Sequence, residues 1–122
     1  MKKNIFLIVF SFLFFNFSAK AQEHNHEAHQ TKQKKESFTV YGNCGMCERT
    51  IEGSLKDVDG VTLADWDKET DQMKVSFNPE VITLDAIKQK IADVGYDSET
   101  HRAKDEVYNS LPGCCQYERL KN

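Results

Sequence analysis

The stretch Phe38-Thr39-Val40-Tyr41-Gly42-Asn43-Cys44-Gly45-Met46-Cys47-Glu48-Arg49-Thr50-Ile51 joins a strand-like run to a helix-like run through a loop carrying two cysteines. Phe38 to Tyr41 is expected as the first strand. Glu48 to Asp57 is expected as the first helix, because Ile51, Leu55 and Val58 recur at spacings of four and three and make one apolar face. Cys44 and Cys47 stand where a chain enters a helix, and there backbone N–H groups and the helix dipole favour thiolate over thiol. Two thiolates separated by two residues can turn toward one soft metal ion. The same spacing also serves redox pairs and structural disulfides.

Outward from this stretch the pattern continues. Asp59-Gly60 is a turn. Val61 to Trp66 is a second strand, with Ala64 and Trp66 on one face, and Asp67 to Asp71 is a charged hairpin loop. Met73, Val75 and Phe77 alternate with Lys74 and Ser76, which marks a third strand with one buried face. Asn78-Pro79 stops it. Thr83 is placed to cap a second helix whose apolar stripe is Leu84, Ile87, Ile91 and Val94. Gly95 closes that helix, and a weakly patterned fourth strand is expected from Tyr96 onward. The order β-α-β-β-α-β is the α+β, ferredoxin-like arrangement, with two helices covering one antiparallel sheet. It brings the loop after the first strand beside the loop after the second helix, so Cys44 and Cys47 are expected near Gly95 and Tyr96. A core of this size buries about 60% of the unfolded chain's surface, which is modest but sufficient.

The start of the chain has the composition of an export signal. Lys2 and Lys3 precede an apolar run from Ile5 to Phe17, and Ala19-Lys20-Ala21 is a small-residue cleavage site. The run is shorter than the ~20 residues of a membrane span. Cleavage is expected between Ala21 and Gln22, giving a periplasmic or secreted protein with no stable membrane insertion. The 122 residues contain 16 basic and 19 acidic side chains. The leader, residues 1–21, holds three of the lysines and no acid, leaving 13 against 19, or −6, after cleavage. That balance argues against nucleic acid as a partner.

Residues 22–37 are polar and lack apolar periodicity, so a disordered tether is expected. His24, His26 and His29 fall within it, and imidazoles on a flexible segment are candidate weak secondary metal ligands. Residues 38–102 form the expected compact domain. Residues 103–122 form a tail with its own pair, Cys114-Cys115, after a turn at Leu111-Pro112-Gly113 and a short helix from Asp105 to Leu111. The tail can fold back to supply auxiliary metal ligands, make a second soft-metal site or form a disulfide. Cys44 with Cys47, or Cys114 with Cys115, would close only a very short loop, and such bridges stabilise little.

Residues 38–100 resemble the heavy-metal-associated domain. The resemblance rests on Val40-Tyr41-Gly42-Asn43-Cys44-Gly45-Met46-Cys47, then Ile51-Glu52, Gly60-Val61, Val75-Ser76-Phe77-Asn78 and Val94-Gly95-Tyr96, all in the family's order. That family includes copper chaperones, amino-terminal domains of metal-pumping ATPases and periplasmic mercury-binding proteins. The resemblance implies a metallochaperone or scavenger, not an enzyme, with metal held by Cys44 and Cys47. Met46 and Tyr96 are expected beside the ion rather than on it. One departure stands out: Tyr41-Gly42-Asn43 occupies the place of the family's usual Gly-Met-Thr.

Two thiolates in a near-linear arrangement suit Cu(I). Zn(II) ordinarily takes four ligands, and Hg(II) shares the two-thiolate chemistry. Cu(I) is therefore the expected ion, with Zn(II) and Hg(II) as alternatives. The expected partner is a metal-transporting protein or another metallochaperone, served by thiolate ligand exchange. Two other readings compete. One is a metal-responsive sensor or docking domain. The other is a thiol–disulfide oxidoreductase, which the element order disfavours; Asn43, not Trp, precedes the first cysteine, and Pro79 and Pro112 are the only prolines.

Overall fold

The computed structural model describes residues 32–121. Its elements run β1 (Lys34–Thr39), α1 (Gly45–Gly53), β2 (Val61–Asp67), β3 (Gln72–Phe77), α2 (Leu84–Asp93) and α3 (Asp105–Asn109), followed by a 3-10 turn over Gly113–Cys115. The three strands form one antiparallel sheet in the order β1-β3-β2. Its alternating residues Met73, Val75 and Phe77 are buried with Ile51 and Leu55 of α1 and its C-terminal turn and Ile87 and Ile91 of α2. This is the ferredoxin-like arrangement read from the sequence.

The helix signals worked at α2. Thr83 Oγ1 accepts a hydrogen bond from Ala86 N at 3.1 Å. At the other end Gly95 has φ +107. Its N–H donates to Ala92 O, and Tyr96 N–H donates to Ile91 O. That pair of bonds satisfies carbonyls the helix would leave open and aims Tyr96 back into the core.

Several boundaries differ from expectation. Helix α1 begins at Gly45, inside the cysteine loop, and ends at Gly53, with residues 54–59 in turns. Strand β1 begins at Lys34 and ends at Thr39, so Tyr41 lies outside it. Residues 34–37, expected in a disordered tether, pair with β3 from Lys34 opposite Phe77 to Ser37 opposite Lys74. Their composition is polar because they form an edge strand, where backbone pairing rather than apolar burial fixes the chain. His24, His26, His29 and the leader lie outside the described residues.

The fourth strand is reduced to a single bridge, Val40 opposite Ser98. Tyr41 N–H donates to Asp97 O at 2.9 Å. One step on, a ladder would pair Thr39 with Glu99 through their backbones. The Glu99 carboxylate takes the Thr39 N–H instead, at 2.7 Å. Ser98 N–H turns to His101 O, and the chain leaves the sheet. His101, just past that bridge, is mostly covered and pinned, with Nε2 2.9 Å from Asp85 and Nδ1 2.9 Å from Thr100 Oγ1.

The compact unit also extends past residue 102. Ala103, Cys115 and Tyr117 are buried, and the last two join the main core. The tail is thus part of the fold. Among the described residues, no helix is long and apolar enough to cross a membrane.

Candidate metal centre

The loop from β1 to α1 is set from below by Trp66. Its Nε1 donates to Val40 O at 2.9 Å, and its ring lies under Gly42. A Cβ at Gly42 would stand 2.8 Å from the ring, so only glycine lets the loop come this close. The bulk beneath the loop therefore comes from β2. Sequence reading placed Trp66 on one face of the second strand with Ala64 and missed this role.

Cys44 occupies the N-cap of α1, and Cys47 sits in the first turn. Their sulfurs are 3.7 Å apart. Cys44 is half-buried, whereas Cys47 is fully buried and accepts a hydrogen bond from Asn43 N–H at 3.4 Å. The backbone N–H groups of Cys47 and Met46 lower the Cys44 pKa from 9.0 to about 7, against a smaller opposing effect of burial. A thiol so placed is substantially ionised near neutrality.

The tail brings a third sulfur. Those of Cys44, Cys47 and Cys115 all lie within 4.8 Å of one another. Cys115 is 0% exposed, and burial, followed by the neighbouring Cys47, pushes its pKa up to about 12. Cys114, its neighbour in sequence, is exposed, with its sulfur 3.9 Å from both Met46 Sδ and Cys115 Sγ. Its carbonyl accepts from Asn43 Nδ2 at 3.4 Å and from the Cys44 thiol at 3.8 Å. Met46 itself is 46% exposed.

Tyr96 is only 1% exposed, and its ring stacks on Tyr117 at 5.7 Å. It is a core aromatic, yet its hydroxyl has no hydrogen-bond partner. Burial, then the adjoining Cys115 and Cys47, raises its pKa and holds its proton in place. Arg49 is exposed and lines a groove with Glu52, Lys56 and β2 residues. Two positions from Cys47 on a helix, it faces away from the thiols.

Tyr117 and Arg119, two and four residues after Cys115, fix it from behind, and the sequence offered only that spacing as a clue. Tyr117 Oη donates to Gly95 O at 2.9 Å and accepts from Asp97 N at 2.8 Å. Arg119 grips Asp97 with two bonds of 2.8 Å and also reaches Asp105 and the Ala103 carbonyl. Its guanidinium lies 4.7 Å from the Tyr108 ring centre. Burial would raise the Asp97 pKa, but Arg119 and the Ala103 N–H outweigh it and hold the carboxyl below its ordinary value.

Fold and cysteine cluster together describe a small domain built to present soft sulfur ligands at a loop–helix junction. The chain matches the heavy-metal-associated domain over residues 42–97. It is 36% identical over 64 residues to the copper chaperone CopZ of Staphylococcus aureus, an alignment covering 52% of this chain and 94% of that protein. It superposes on a solved CopZ metallochaperone with a TM-score of 0.51 at 35% identity, covering 53% of this chain and 98% of that one. It superposes on the water-soluble region of the P-type ATPase CopA of Bacillus subtilis with a TM-score of 0.52 at 34% identity, covering 55% of this chain and 45% of the other. The protein belongs to the heavy-metal-associated domain family. The tail that carries Cys114 and Cys115 lies beyond the matched residues.

Proposed function

We propose that this protein is an exported metallochaperone that holds Cu(I) through Cys44 and Cys47 and passes it to a metal-transporting partner. The observation that carries the reading is the Cys44–Cys47 pair: two sulfurs 3.7 Å apart, one half-buried with its pKa drawn down to about 7. Thiolate, not thiol, is the ligand, and Cu(I) is a soft ion that thiolates select. A partner thiolate approaching from the Cys44 side would bond to the ion before a chaperone thiolate leaves. Transfer then needs no free ion and no weak binding. The departing sulfur recovers a proton from solvent.

The likeness to a copper chaperone supports the ion, and the likeness to the water-soluble region of a P-type ATPase supports the kind of partner. The non-enzymatic role agrees with the chaperone relatives. Export rests on Lys2, Lys3, the apolar run from Ile5 and the Ala19-Lys20-Ala21 site.

The test is an anaerobic competition titration of the reduced, leader-free chain with Cu(I) and Zn(II) against chelators of known affinity. Tight binding of one Cu(I), with zinc held far more weakly, is expected. Zinc held more tightly than copper would overturn the reading.

A further inference from the structure

We infer that Cys115 is a third metal ligand, and that the tail is a fixed clasp which completes a three-thiolate site over the ion. The inference rests on the proposed copper-carrier reading and extends it to a part of the chain outside the matched family residues.

Distances admit a third sulfur. With metal–sulfur bonds of about 2.3 Å, thiolates on opposite sides of an ion stand roughly 4.6 Å apart, and three in a trigonal plane stand roughly 4.0 Å apart. Cys44 and Cys47 are 3.7 Å apart, and the triad with Cys115 fits within 4.8 Å. The three sulfurs are close enough for one ion to reach them all.

The surroundings of Cys115 point the same way. Its sulfur is fully buried, while Cys114, one residue earlier, is exposed and turned toward Met46. Beside Cys115 and Cys47 lies the Tyr96 hydroxyl, buried and without a hydrogen-bond partner. An orphaned buried donor is destabilising. A metal-bound thiolate is the acceptor it lacks, and such outer donors commonly orient the ligands of a metal.

Placement is rigid. Tyr117 bridges Gly95 and Asp97, and Arg119 clamps Asp97, within four residues of Cys115. These contacts involve neither Cys44 nor Cys47, so the clasp can hold its position before an ion arrives. The chemical class that suits the site is a soft, closed-shell ion able to take three thiolates. On ligation Cys115 gives up its thiol proton to solvent and the ion takes its place. Release runs in reverse: the Cys115–metal bond breaks, the sulfur regains a proton, and the ion is left on the two sulfurs from which a partner can take it.

The experiment is X-ray absorption at the copper edge on the full leader-free chain loaded with one equivalent of Cu(I). Wild type should show three sulfur neighbours, Cys115→Ser two and Cys114→Ser three. Cys115→Ser should weaken Cu(I) binding by at least about tenfold, since losing even an outer partner of a metal site has that effect. The wild-type spectrum needs no variant, so a folding defect in Cys115→Ser cannot mask the answer. Two sulfurs in wild type, with tight one-to-one binding, would overturn the clasp and leave the copper-carrier reading standing. Loss of tight one-to-one binding in wild type would overturn both.

Discussion

At Cys44 and Cys47 the thiols stand at the opening of a helix, where backbone N–H groups draw one of them toward ionisation. At Cys114 and Cys115 they stand on a 3-10 turn pinned from behind by side chains, and the inner thiol is buried and keeps its proton. Both are pairs of cysteines close in sequence. The difference is what each backbone offers to sulfur: a helix N-terminus stabilises negative charge, whereas a packed turn only removes water. Spacing of cysteines therefore says little about ionisation until the element beneath them is known.

Removing the helix pair should have the largest effect. Cys47→Ser or Cys44→Ser is expected to abolish tight Cu(I) binding, a loss beyond the ~100-fold that an outer partner can account for. Circular dichroism should show the fold retained. Unchanged affinity in both variants would erase the distinction between the two pairs.

Next comes the clamp behind the second pair. Arg119→Ala leaves the Asp97 carboxylate, 6% exposed, without its main partner. Urea unfolding should record a loss of about 3 kcal/mol, as for other broken buried pairs. The pH dependence should change with it. Because the folded Asp97 pKa lies below its ordinary 3.8, its contribution is complete above that value and disappears as the pH falls through the folded one. In Arg119→Ala the acid limb attributable to Asp97 should flatten. An acid limb identical to wild type would mean that Asp97 is not held down by Arg119.

A smaller effect is expected beneath the first pair. Gly42→Ala drives a methyl toward the Trp66 ring, and overpacking of this kind should be destabilising by about 1–3 kcal/mol. A neutral result in urea unfolding would show that the loop can lift off Trp66. The mildest test alters no residue. Alkylation of the metal-free protein by iodoacetamide should label Cys44 with a midpoint near pH 7, while Cys115 stays protected in the folded state. Equal labelling of the two would remove the contrast.

The α+β order was legible because Met73, Val75 and Phe77 alternate and because Ile87 and Ile91 repeat at helical spacing. The cysteine loop was legible from its two sulfurs and its place before α1. What escaped the sequence depends on contacts between distant residues. Lys34 to Ser37 gained strand structure from β3, not from their own composition. The fourth strand failed because the Glu99 side chain took the Thr39 N–H that a backbone carbonyl was expected to accept. The tail was read as lying outside the compact domain because its anchors, Tyr117 and Arg119, have their partners at Gly95 and Asp97. Trp66 was visible as a strand residue sharing a face with Ala64, but its burial and its contact with Gly42 become apparent only in three dimensions.

The carboxylate of Glu99 has one more effect. Strand β1 lies at the margin of the sheet, and an open margin is a template on which another chain can add a strand. Here the Thr39 N–H is occupied by Glu99, and the Tyr41 N–H by the Asp97 carbonyl. Lys34 and Lys35 place exposed charge at the other end of the strand. The segment that stops short of becoming a fourth strand thus still closes part of the β1 margin to an incoming strand.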